Sequence, residues 1–342
     1  MFPYSINLFF CRYQFMLKLL EQLVQIPSPT GQEYAIGQFL THYLDQKGFH
    51  VIQQSVGEKR YNLLATTSSN PHILFCTHLD VVPPHIPFHK EGNRIFGRGA
   101  CDAKGQIAAI VAAGDRLLAE HIDGFGFLFV VGEEKDSDGA KKAAALKTSS
   151  RYVVICEPTD NKLVTGQKGT LVFKISARGS GGHSCSPENK TSAIHQLLAC
   201  LYDWQDVDWG ADPVLGRSTV NIGTITGGTG INIIAETATA EGIFRVASSV
   251  QYIKEKLQQL VPTGIELEIR SESDPQKLLS LPGFDTAVVA FGTDASYLRP
   301  LGEIALLGPG SITVAHSADE HISITELNKA VELLVKIAKQ LI

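Results

Sequence analysis

Three apolar runs in this sequence end in acidic residues or histidine, and this repetition constrains the fold more than any other feature. The runs are HILFCTHLD (72–80), FGFLFVVGEE (125–134) and RYVVICEPT (151–159). Apolar runs bounded by polar residues are typical of strands that are buried on both faces. In α/β folds, active sites lie at the carboxyl ends of such strands. The sequence therefore predicts that carboxylates and an imidazole gather at one edge of a buried sheet.

The first part of the chain alternates strand-like runs with helix-like segments, which indicates a largely parallel or mixed sheet covered on both faces. The segment MLKLLEQLVQI predicts a helix from Met16, and we expect residues 1–15 to be a poorly fixed extension without the features of a signal peptide. In TGQEYAIGQFLTHYLDQKG, Thr30 and Glu33 have the spacing of a capping box, and Gly48 supplies the stop.

A different pattern occupies residues 166–274. Four strand-like segments (TLVFKISARG, STVNIGTITGG, ATAEGIFRVA, GIELEIRSE) occur there with two amphipathic helices (KTSAIHQLLACLYDW, SVQYIKEKLQQL). This pattern predicts a small α+β sandwich of the open-faced, ferredoxin-like type. After residue 274 the chain returns to the pattern of strand-like and helix-like segments seen in its first part. The sequence therefore predicts an α/β protein. Its main domain comprises residues 1–165 and 275–342, and residues 166–274 form an inserted domain.

Composition excludes several classes of function. The chain of 342 residues has 44% hydrophobic and 19% charged residues, which is ordinary for a soluble protein of two domains. No apolar run approaches the roughly 20 residues of a membrane span, so no membrane partner is expected. The net charge of -5 without a Lys/Arg cluster disfavours nucleic acid. The six cysteines are scattered without a C-x-x-C pair, which favours reduced thiols in a cytosol.

Several short motifs carry residues suited to metal binding. His78 and Asp80, two apart, face the same way at a strand end, as suits a metal-bound imidazole with an orienting carboxylate. Asp102 lies on the glycine-punctuated turn of GRGACDAKG, which lacks the third glycine of a dinucleotide loop and the Lys-Ser/Thr of a phosphate loop. Taken singly, each signal also has a structural explanation, and Glu133 and Glu134 alone would be interpreted as a solvated acidic turn.

The C-terminal part adds a histidine pair in VAHSADEHIS. Of His316 and His321, we prefer His316 because it directly follows an apolar segment, and His321 is interpreted as a surface or supporting residue. Together with Glu157, which also ends a buried strand, the set consists of oxygen and imidazole donors. Such donors suit a pair of divalent ions such as zinc, cobalt or manganese, with one carboxylate bridging.

With these motifs in order, the sequence resembles the dinuclear zinc amidohydrolases that include acetylornithine deacetylase, succinyl-diaminopimelate desuccinylase, aminoacylase and glutamate carboxypeptidases. The matching stretches are HLDVVP, GRGACDAKG, GEEKDSDGA, EPT, GGHSCSP and AHSADEH, and the resemblance spans residues 16–342. It implies a zinc-exopeptidase-like catalytic domain, with a mixed sheet flanked by helices. It also implies that the inserted ferredoxin-like domain is a lid that mediates dimerisation.

The resemblance implies a metal site of two divalent ions, Zn²⁺ or alternatively Co²⁺. His78 and Glu157 would bind one ion, Glu134 and His316 would bind the other, and Asp102 would bridge them. The resemblance also implies a cis peptide bond after the bridging aspartate.

It further implies three catalytic residues and a substrate-binding set. Glu133 would be the general base, Asp80 would orient the metal-bound histidine, and His183 would stabilise the oxyanion in the active site of the other subunit of a homodimer. Asn232 and Arg245 resemble residues that hold the substrate carboxylate, and Thr293 with Asp294 would line the pocket. Two departures from the family pattern, Ala235 in place of proline and IFR in place of an acidic-x-Arg run, leave the substrate clamp less defined.

The leading hypothesis is a cytosolic, homodimeric two-metal amidohydrolase that removes an acyl group from an N-acyl amino acid, with acetylornithine deacetylase of arginine biosynthesis as the nearest subclass. Release of lysine or ornithine from a carrier protein, desuccinylation and dipeptide hydrolysis remain alternatives with the same metal centre. A catalytically inactive homologue is disfavoured because every key position is occupied. A serine hydrolase is disfavoured because the sequence lacks a G-x-S-x-G elbow, and an NAD enzyme because the glycine fingerprint is absent.

Overall fold

A computed structural model of the chain describes residues 4–68 and 70–342. The helices in these ranges are α1 (Tyr4–Gln25), α2 (Tyr34–Gln46), α3 (Lys104–Ala119), α4 (Asp138–Ala143), α5 (Ala193–Asp203), α6 (Val250–Leu260), α7 (Ala295–Leu298) and α8 (Ile324–Leu341), with a 3₁₀ turn at Arg299–Leu301.

The strands are β1 (His50–Gly57), β2 (Arg60–Thr66), β3 (Ile73–His78), β4 (His89–Glu91), β5 (Arg94–Phe96), β6 (Phe125–Val130), β7 (Tyr152–Ile155), β8 (Leu163–Gln167), β9 (Gly169–Arg178), β10 (Ala211–Asp212), β11 (Gly216–Arg217), β12 (Thr219–Gly227), β13 (Thr237–Val246), β14 (Ile265–Ser273), β15 (Gln276–Lys277), β16 (Thr286–Val289), β17 (Glu303–Leu306) and β18 (His321–Ser323).

The main sheet has six strands in the order β1-β2-β6-β3-β7-β17. Strands β6, β3, β7 and β17 are parallel to one another, whereas β1 and β2 pair in antiparallel fashion with each other, as do β2 and β6. Every residue of β3 and β6 is buried, which explains their continuous apolar sequences because parallel strands are covered on both faces. The predicted mixed sheet flanked by helices is confirmed.

Small residues allow helix α3 to pack closely against this sheet and against α1 and α8. A Cβ atom on Gly114 would lie 2.4 Å from the Phe127 ring, and one on Gly105 would lie 2.2 Å from the Ala100 carbonyl oxygen. Both distances are shorter than van der Waals contact, so only glycine fits there. Gly114 therefore allows α3 to lie close to the sheet, and Gly105 allows the first turn of α3 to lie against Ala100.

Two details of the predicted helices are wrong. Helix α1 begins at Tyr4 and not at Met16, since the intervening YSINLFFCRYQF contains no glycine or proline to stop it. Residues 1–3 of the expected extension lie outside the described part of the chain. Thr30 and Glu33 form no capping box, because the N-cap of α2 makes no side-chain cap hydrogen bond and both side chains have other partners, described below. Gly48 does follow the end of α2, with a φ of 84°.

The chain divides into two compact units: Met1–Thr165 with Leu278–Ala287 and Thr293–Ile342, and Gly166–Lys277 with Val288–Gly292. In the second unit, β12-β13-β9-β14 form an antiparallel sheet. With α5 and α6, these strands have the β-α-β-β-α-β order of a ferredoxin-like unit. An aromatic cluster of Phe173, Trp204, Trp209 and Phe244 lies in its core.

The structure also tests the expectations for membrane-spanning helices and for the cysteines. Among the helices that the structure describes, none has the length and apolar character needed to cross a bilayer. The cysteines with described side chains, Cys76, Cys101, Cys156, Cys185 and Cys200, are all free.

Candidate metal centre

The carboxyl ends of three neighbouring parallel strands bring acidic and imidazole side chains together. Strands β6, β3 and β7 lie side by side. His78 is the last residue of β3, Glu133 and Glu134 follow β6, and Glu157 follows β7. Since these strands point in one direction, their ends meet at one edge of the sheet.

One group of potential ligands consists of His78, Asp102 and Glu157. His78 Nε2 lies 3.0 Å from Asp102 Oδ1 and 3.9 Å from Glu157 Oε2. One donor atom of each residue lies within 4.8 Å of the others, and all three side chains are buried. This spacing is compatible with a single ion held at about 2.0–2.2 Å from each donor.

A second group consists of Asp102, Glu134 and His316, and one donor atom of each of these residues also lies within 4.8 Å of the others. His316 Nε2 lies 2.9 Å from Glu134 Oε2 and 3.4 Å from Asp102 Oδ2. The His316 side chain is 48% exposed, whereas the other two are nearly covered. The second position is therefore open to solvent on one side, and the first is enclosed.

Asp102 belongs to both groups, and its two carboxylate oxygens face different histidines. Oδ1 faces His78 and Oδ2 faces His316. A carboxylate that presents one oxygen to each of two ion positions is arranged as a bridge. The peptide bond between Asp102 and Ala103 is cis, as the resemblance implies.

The crowding of carboxylates shifts the protonation equilibria at this edge. Burial raises the pKa of Glu157 well above its ordinary value, with Asp102 adding to the rise and His78 opposing it. Hydrogen bonds to Asp102 and Glu134 raise the pKa of His316 to about 10. Burial opposes ionisation of Asp102, but hydrogen bonds to the two histidines keep its pKa well below the usual range. Protonated imidazoles thus compensate the carboxylates, and divalent cations supply the same compensation when they displace protons.

The chemistry of the donors fits zinc or a similar divalent ion. Each group offers imidazole nitrogen and carboxylate oxygen, and none of its members is a cysteine. Three protein ligands for each ion would leave a coordination position free, which is the pattern of catalytic zinc sites rather than structural ones.

Comparison with known proteins identifies the family. The sequence profile of Peptidase family M20/M25/M40 matches residues 74–340. The chain belongs to this family. As an M20 peptidase, it is a metal-dependent hydrolase of amide bonds.

Individual relatives agree with this assignment. The M20 peptidase is 38% identical to a peptidase M20 domain-containing protein of Schizosaccharomyces pombe, over 91% of this chain and 81% of the relative. It is 34% identical to a probable carboxypeptidase of Aspergillus clavatus, over 93% of this chain and 86% of the relative. Its fold is similar to that of a tripeptidase from Staphylococcus aureus, with a TM-score of 0.82 and 22% identity over 96% of this chain and 99% of that one.

In this M20 peptidase, Asp80 connects the ligand-bearing segments. Its Oδ1 accepts the backbone N–H of Glu133 at 3.1 Å, and its Oδ2 accepts that of Glu134 at 3.1 Å and the Thr30 hydroxyl at 2.8 Å. The Asp80 backbone carbonyl lies 2.9 Å from His78 Nδ1. When Nδ1 donates its proton to that carbonyl, the Nε2 lone pair faces Asp102, so the tautomer suited to metal binding is selected.

The other candidate site residues of the first unit, Glu133, His321 and Thr293, differ in their surroundings. Glu133 belongs to neither donor group. The His321 ring packs against the Phe96 ring with centroids 5.1 Å apart and an interplanar angle of 41°, and His321 also lies outside both donor groups. Thr293 is buried, and its hydroxyl accepts the backbone N–H of Ala295.

The predicted residues of the second unit lie on its loops and sheet. His183 and Asn232 lie on adjoining loops, because the backbone N–H of Ser184 donates to the Asn232 carbonyl at 3.0 Å. Arg245 lies on β13 and is half-buried. Burial lowers the pKa of its guanidinium, and within the described part of the chain no carboxylate forms an ion pair with it.

Two supporting side chains escaped the sequence prediction of the site. Thr30 hydrogen-bonds Asp80, although its spacing suggested a helix cap. Glu320, between the two candidate histidines, is fully buried and accepts the backbone N–H of Asp102 at 3.0 Å. Neither has a local sequence signal, since each partner is distant along the chain. Asp294, which is expected from the sequence to line the pocket, is buried, and burial raises its pKa to about 6.

Replacing Asp80 by asparagine should lower the free energy of unfolding by about 1–3 kcal/mol, because an amide NH₂ would face one of the buried N–H donors that the carboxylate accepts. Chemical denaturation measures this change. Asp45→Asn, at an exposed position of α2, is the control and should stay within about 0.5 kcal/mol of the wild type. Equal effects of the two substitutions would contradict the connecting role of Asp80.

Proposed function

We propose that this M20 peptidase is a two-zinc exopeptidase that releases a C-terminal amino acid from a dipeptide or short peptide. The observation that carries the proposal is the sharing of Asp102 between two donor groups, with Glu133 next in the chain to the donor Glu134 and outside both groups. Cobalt can replace zinc in such a donor set because both ions accept imidazole and carboxylate ligands.

His78, Asp102 and Glu157 would hold one ion, and Asp102, Glu134 and His316 the other. A pair of divalent ions supplies polarisation of the scissile carbonyl and a water that is acidic near neutral pH. The protein must then provide a group that accepts the proton of that water and delivers it to the departing amine.

Glu133 is our candidate for this general base. The Glu134 carboxylate is engaged with His316 at 2.9 Å, whereas Glu133 belongs to neither donor group. Burial raises the pKa of Glu133 well above its ordinary value, with the Asp294, Glu157 and Glu134 carboxylates adding to the rise and His78 opposing it. A more basic carboxylate is better matched to proton transfer near neutral pH.

We propose Arg245, Asn232 and Thr293 as the substrate-binding groups, as the family resemblance implies. Arg245 is our candidate for binding the free carboxylate of the substrate, because it is half-buried and has no carboxylate partner among the described residues. Asn232 would assist it, and Thr293 would line the pocket. A guanidinium binds a carboxylate through two parallel N–H groups, which gives both affinity and orientation.

The name of the probable carboxypeptidase among the relatives supports a peptide substrate. The second candidate is deacylation of an N-acyl amino acid, such as N-acetylornithine, which the order of the sequence motifs favours. Both reactions cleave an amide and release an amino acid with a free carboxylate, so the metal centre serves either. The two differ in the group on the carbonyl side of the scissile bond.

We further propose a homodimer formed through the second unit, in which His183 of the partner subunit stabilises the oxyanion. Strand β12 is an edge strand of its sheet, and Ile225 on it is 50% exposed. Leu198 and Tyr202 on α5 are 48% and 70% exposed. An exposed edge strand with apolar neighbours is suited to pairing with a second copy. The free cysteines are consistent with a cytosolic protein.

Substitution of the paired glutamates should have different effects on metal content and turnover. Glu133→Gln is expected to keep both zinc ions and to lose about 100- to 10,000-fold in kcat, which is the usual contribution of a general base. Glu134→Gln, the matched variant at the next position, should retain only about one ion for each chain because each ion depends on its carboxylate ligand. Metal analysis after dialysis measures the content. The same metal content in both variants would refute this division of roles.

The substrate proposal is tested by a panel assayed with the zinc-loaded enzyme. Dipeptides and tripeptides with a free carboxylate should be cleaved with higher kcat/KM than N-acetylornithine, and amidation of the C-terminal carboxylate should abolish cleavage. Removal of metal by a chelator should abolish activity, and added zinc should restore it. Faster cleavage of N-acetylornithine would favour the deacylase instead.

Mixing two inactive variants tests whether His183 acts across a dimer. His183→Ala should lose about 100-fold or more in kcat, as loss of one oxyanion donor does, while His195→Ala, at an exposed position of α5 in the same unit, should behave as wild type. In subunits mixed from His183→Ala and Glu133→Gln proteins, half of the dimers are hybrids with one intact site. About a quarter of the wild-type activity should therefore return. No recovery in verified hybrids would exclude action across the dimer.

A further inference from the structure

The Asp102 backbone lies in a turn between β5 and α3, outside any strand or helix. No ladder of strand hydrogen bonds fixes its orientation there, although its carboxylate faces both histidines. Buried backbone N–H groups in such a turn need acceptors from elsewhere in the protein. The question is therefore which group supplies them.

One oxygen of Glu320 accepts three of these N–H groups. Glu320 Oε1 lies 2.9 Å from the backbone nitrogen of Gly99, 3.1 Å from that of Cys101 and 3.0 Å from that of Asp102. The Glu320 side chain is fully buried. A single acceptor atom thus holds three backbone N–H groups of the turn that carries Asp102.

The other oxygen of Glu320 has a separate partner. Oε2 lies 2.6 Å from Arg98 Nη1, and the Arg98 side chain is 2% exposed. Arg98 Nε also donates to the Pro84 carbonyl at 3.2 Å. Arg98 therefore neutralises the buried carboxylate and fixes its direction, and leaves Oε1 for the turn.

We propose that Glu320 is a positioning residue, whose Oε1 fixes the Asp102 carboxylate between the two ion positions. This inference rests on the proposed function, in which Asp102 bridges the ions. Glu320 contacts the turn and not the donor atoms of the two groups, so it acts through Asp102. A buried ion pair that served stability alone would not require the N–H of Asp102 itself on one of its oxygens.

The consequence is specific to a bridging ligand. Loss of a ligand that serves one ion weakens one binding step, whereas misplacement of Asp102 weakens both. Groups that orient metal ligands typically contribute 10- to 100-fold to metal affinity. We therefore expect both zinc-binding steps to weaken together in a variant whose residue 320 offers no oxygen in the place of Glu320 Oε1.

The test compares two double variants that differ only in the acceptor. In Arg98→Met/Glu320→Gln, the amide oxygen can accept the three N–H groups and no guanidinium faces the amide nitrogen. In Arg98→Met/Glu320→Met, a side chain of similar volume offers no oxygen. Both lack the buried ion pair, whose replacement by apolar groups of similar volume is often tolerated.

Titration with Zn²⁺ alone, and with Co²⁺ alone followed by its visible absorption, measures the two binding steps. The glutamine variant should bind both ions with near wild-type affinity and an unchanged Co²⁺ spectrum. The methionine variant should bind both about 10- to 100-fold more weakly with an altered spectrum. Equal affinities and spectra in the two variants would overturn the inference.

If the methionine variant does not fold, the single variant Glu320→Gln supplies the comparison. Its amide nitrogen must face either Arg98 or the turn, and both are donors. The resulting donor–donor repulsion displaces the side chain, so both binding steps should weaken and recover in Arg98→Met/Glu320→Gln. The control is Glu33→Gln, since Glu33 is also buried and paired with an arginine, Arg60, at 2.8 Å. The control should lose stability and keep its metal affinity, and a loss of metal affinity equal to that of Glu320→Gln would overturn the inference.

Asp102→Asn separates this inference from the proposed function. If Asp102→Asn binds both ions as the wild type does, the proposed metal centre is wrong. If Asp102→Asn loses them while the methionine variant binds normally, the metal centre stands and the role of Glu320 alone is wrong.

Discussion

The position of the Asp102 carboxylate between two histidines is the constraint on which the site depends. One oxygen faces His78 and the other faces His316, and Glu134 and Glu157 complete the two groups. Three carboxylates so close together repel one another, and the repulsion is offset only by positive charge placed among them. The site is therefore built to attract cations, and divalent ions are the cations that its nitrogen and oxygen donors suit.

Two buried carboxylates outside the donor groups hold this arrangement together. Asp80 accepts the backbone N–H groups of Glu133 and Glu134, and Glu320 accepts three from the turn of Asp102. In both cases a carboxylate fixes the backbone of a loop, as the hydrogen bonds between strands fix the backbone of a sheet, because its oxygens accept several N–H groups at once. Glu134 and Asp102 therefore lie on loops, yet these carboxylates fix their backbones by hydrogen bonds.

The apolar runs made the main sheet predictable, because strands covered on both faces are continuously apolar and their carboxyl ends meet. Of the two candidate histidines, His316 belongs to a donor group and His321 does not, and the role of His316 as a ligand stays a prediction. The start of α1 and the roles of Thr30 and Glu33 were not predictable, since local spacing does not reveal distant partners. Glu320 illustrates the limit, because the residues that it holds are 218 to 221 positions away.

Anomalous diffraction from crystals of the zinc-loaded protein, collected at the zinc edge, tests the central claim most directly. The account predicts two peaks on opposite sides of the Asp102 carboxylate, one within about 2.0–2.2 Å of His78 and Glu157 and the other within that distance of Glu134 and His316. Glu133 should coordinate neither ion. A single peak, or two peaks that do not share Asp102, would contradict the account.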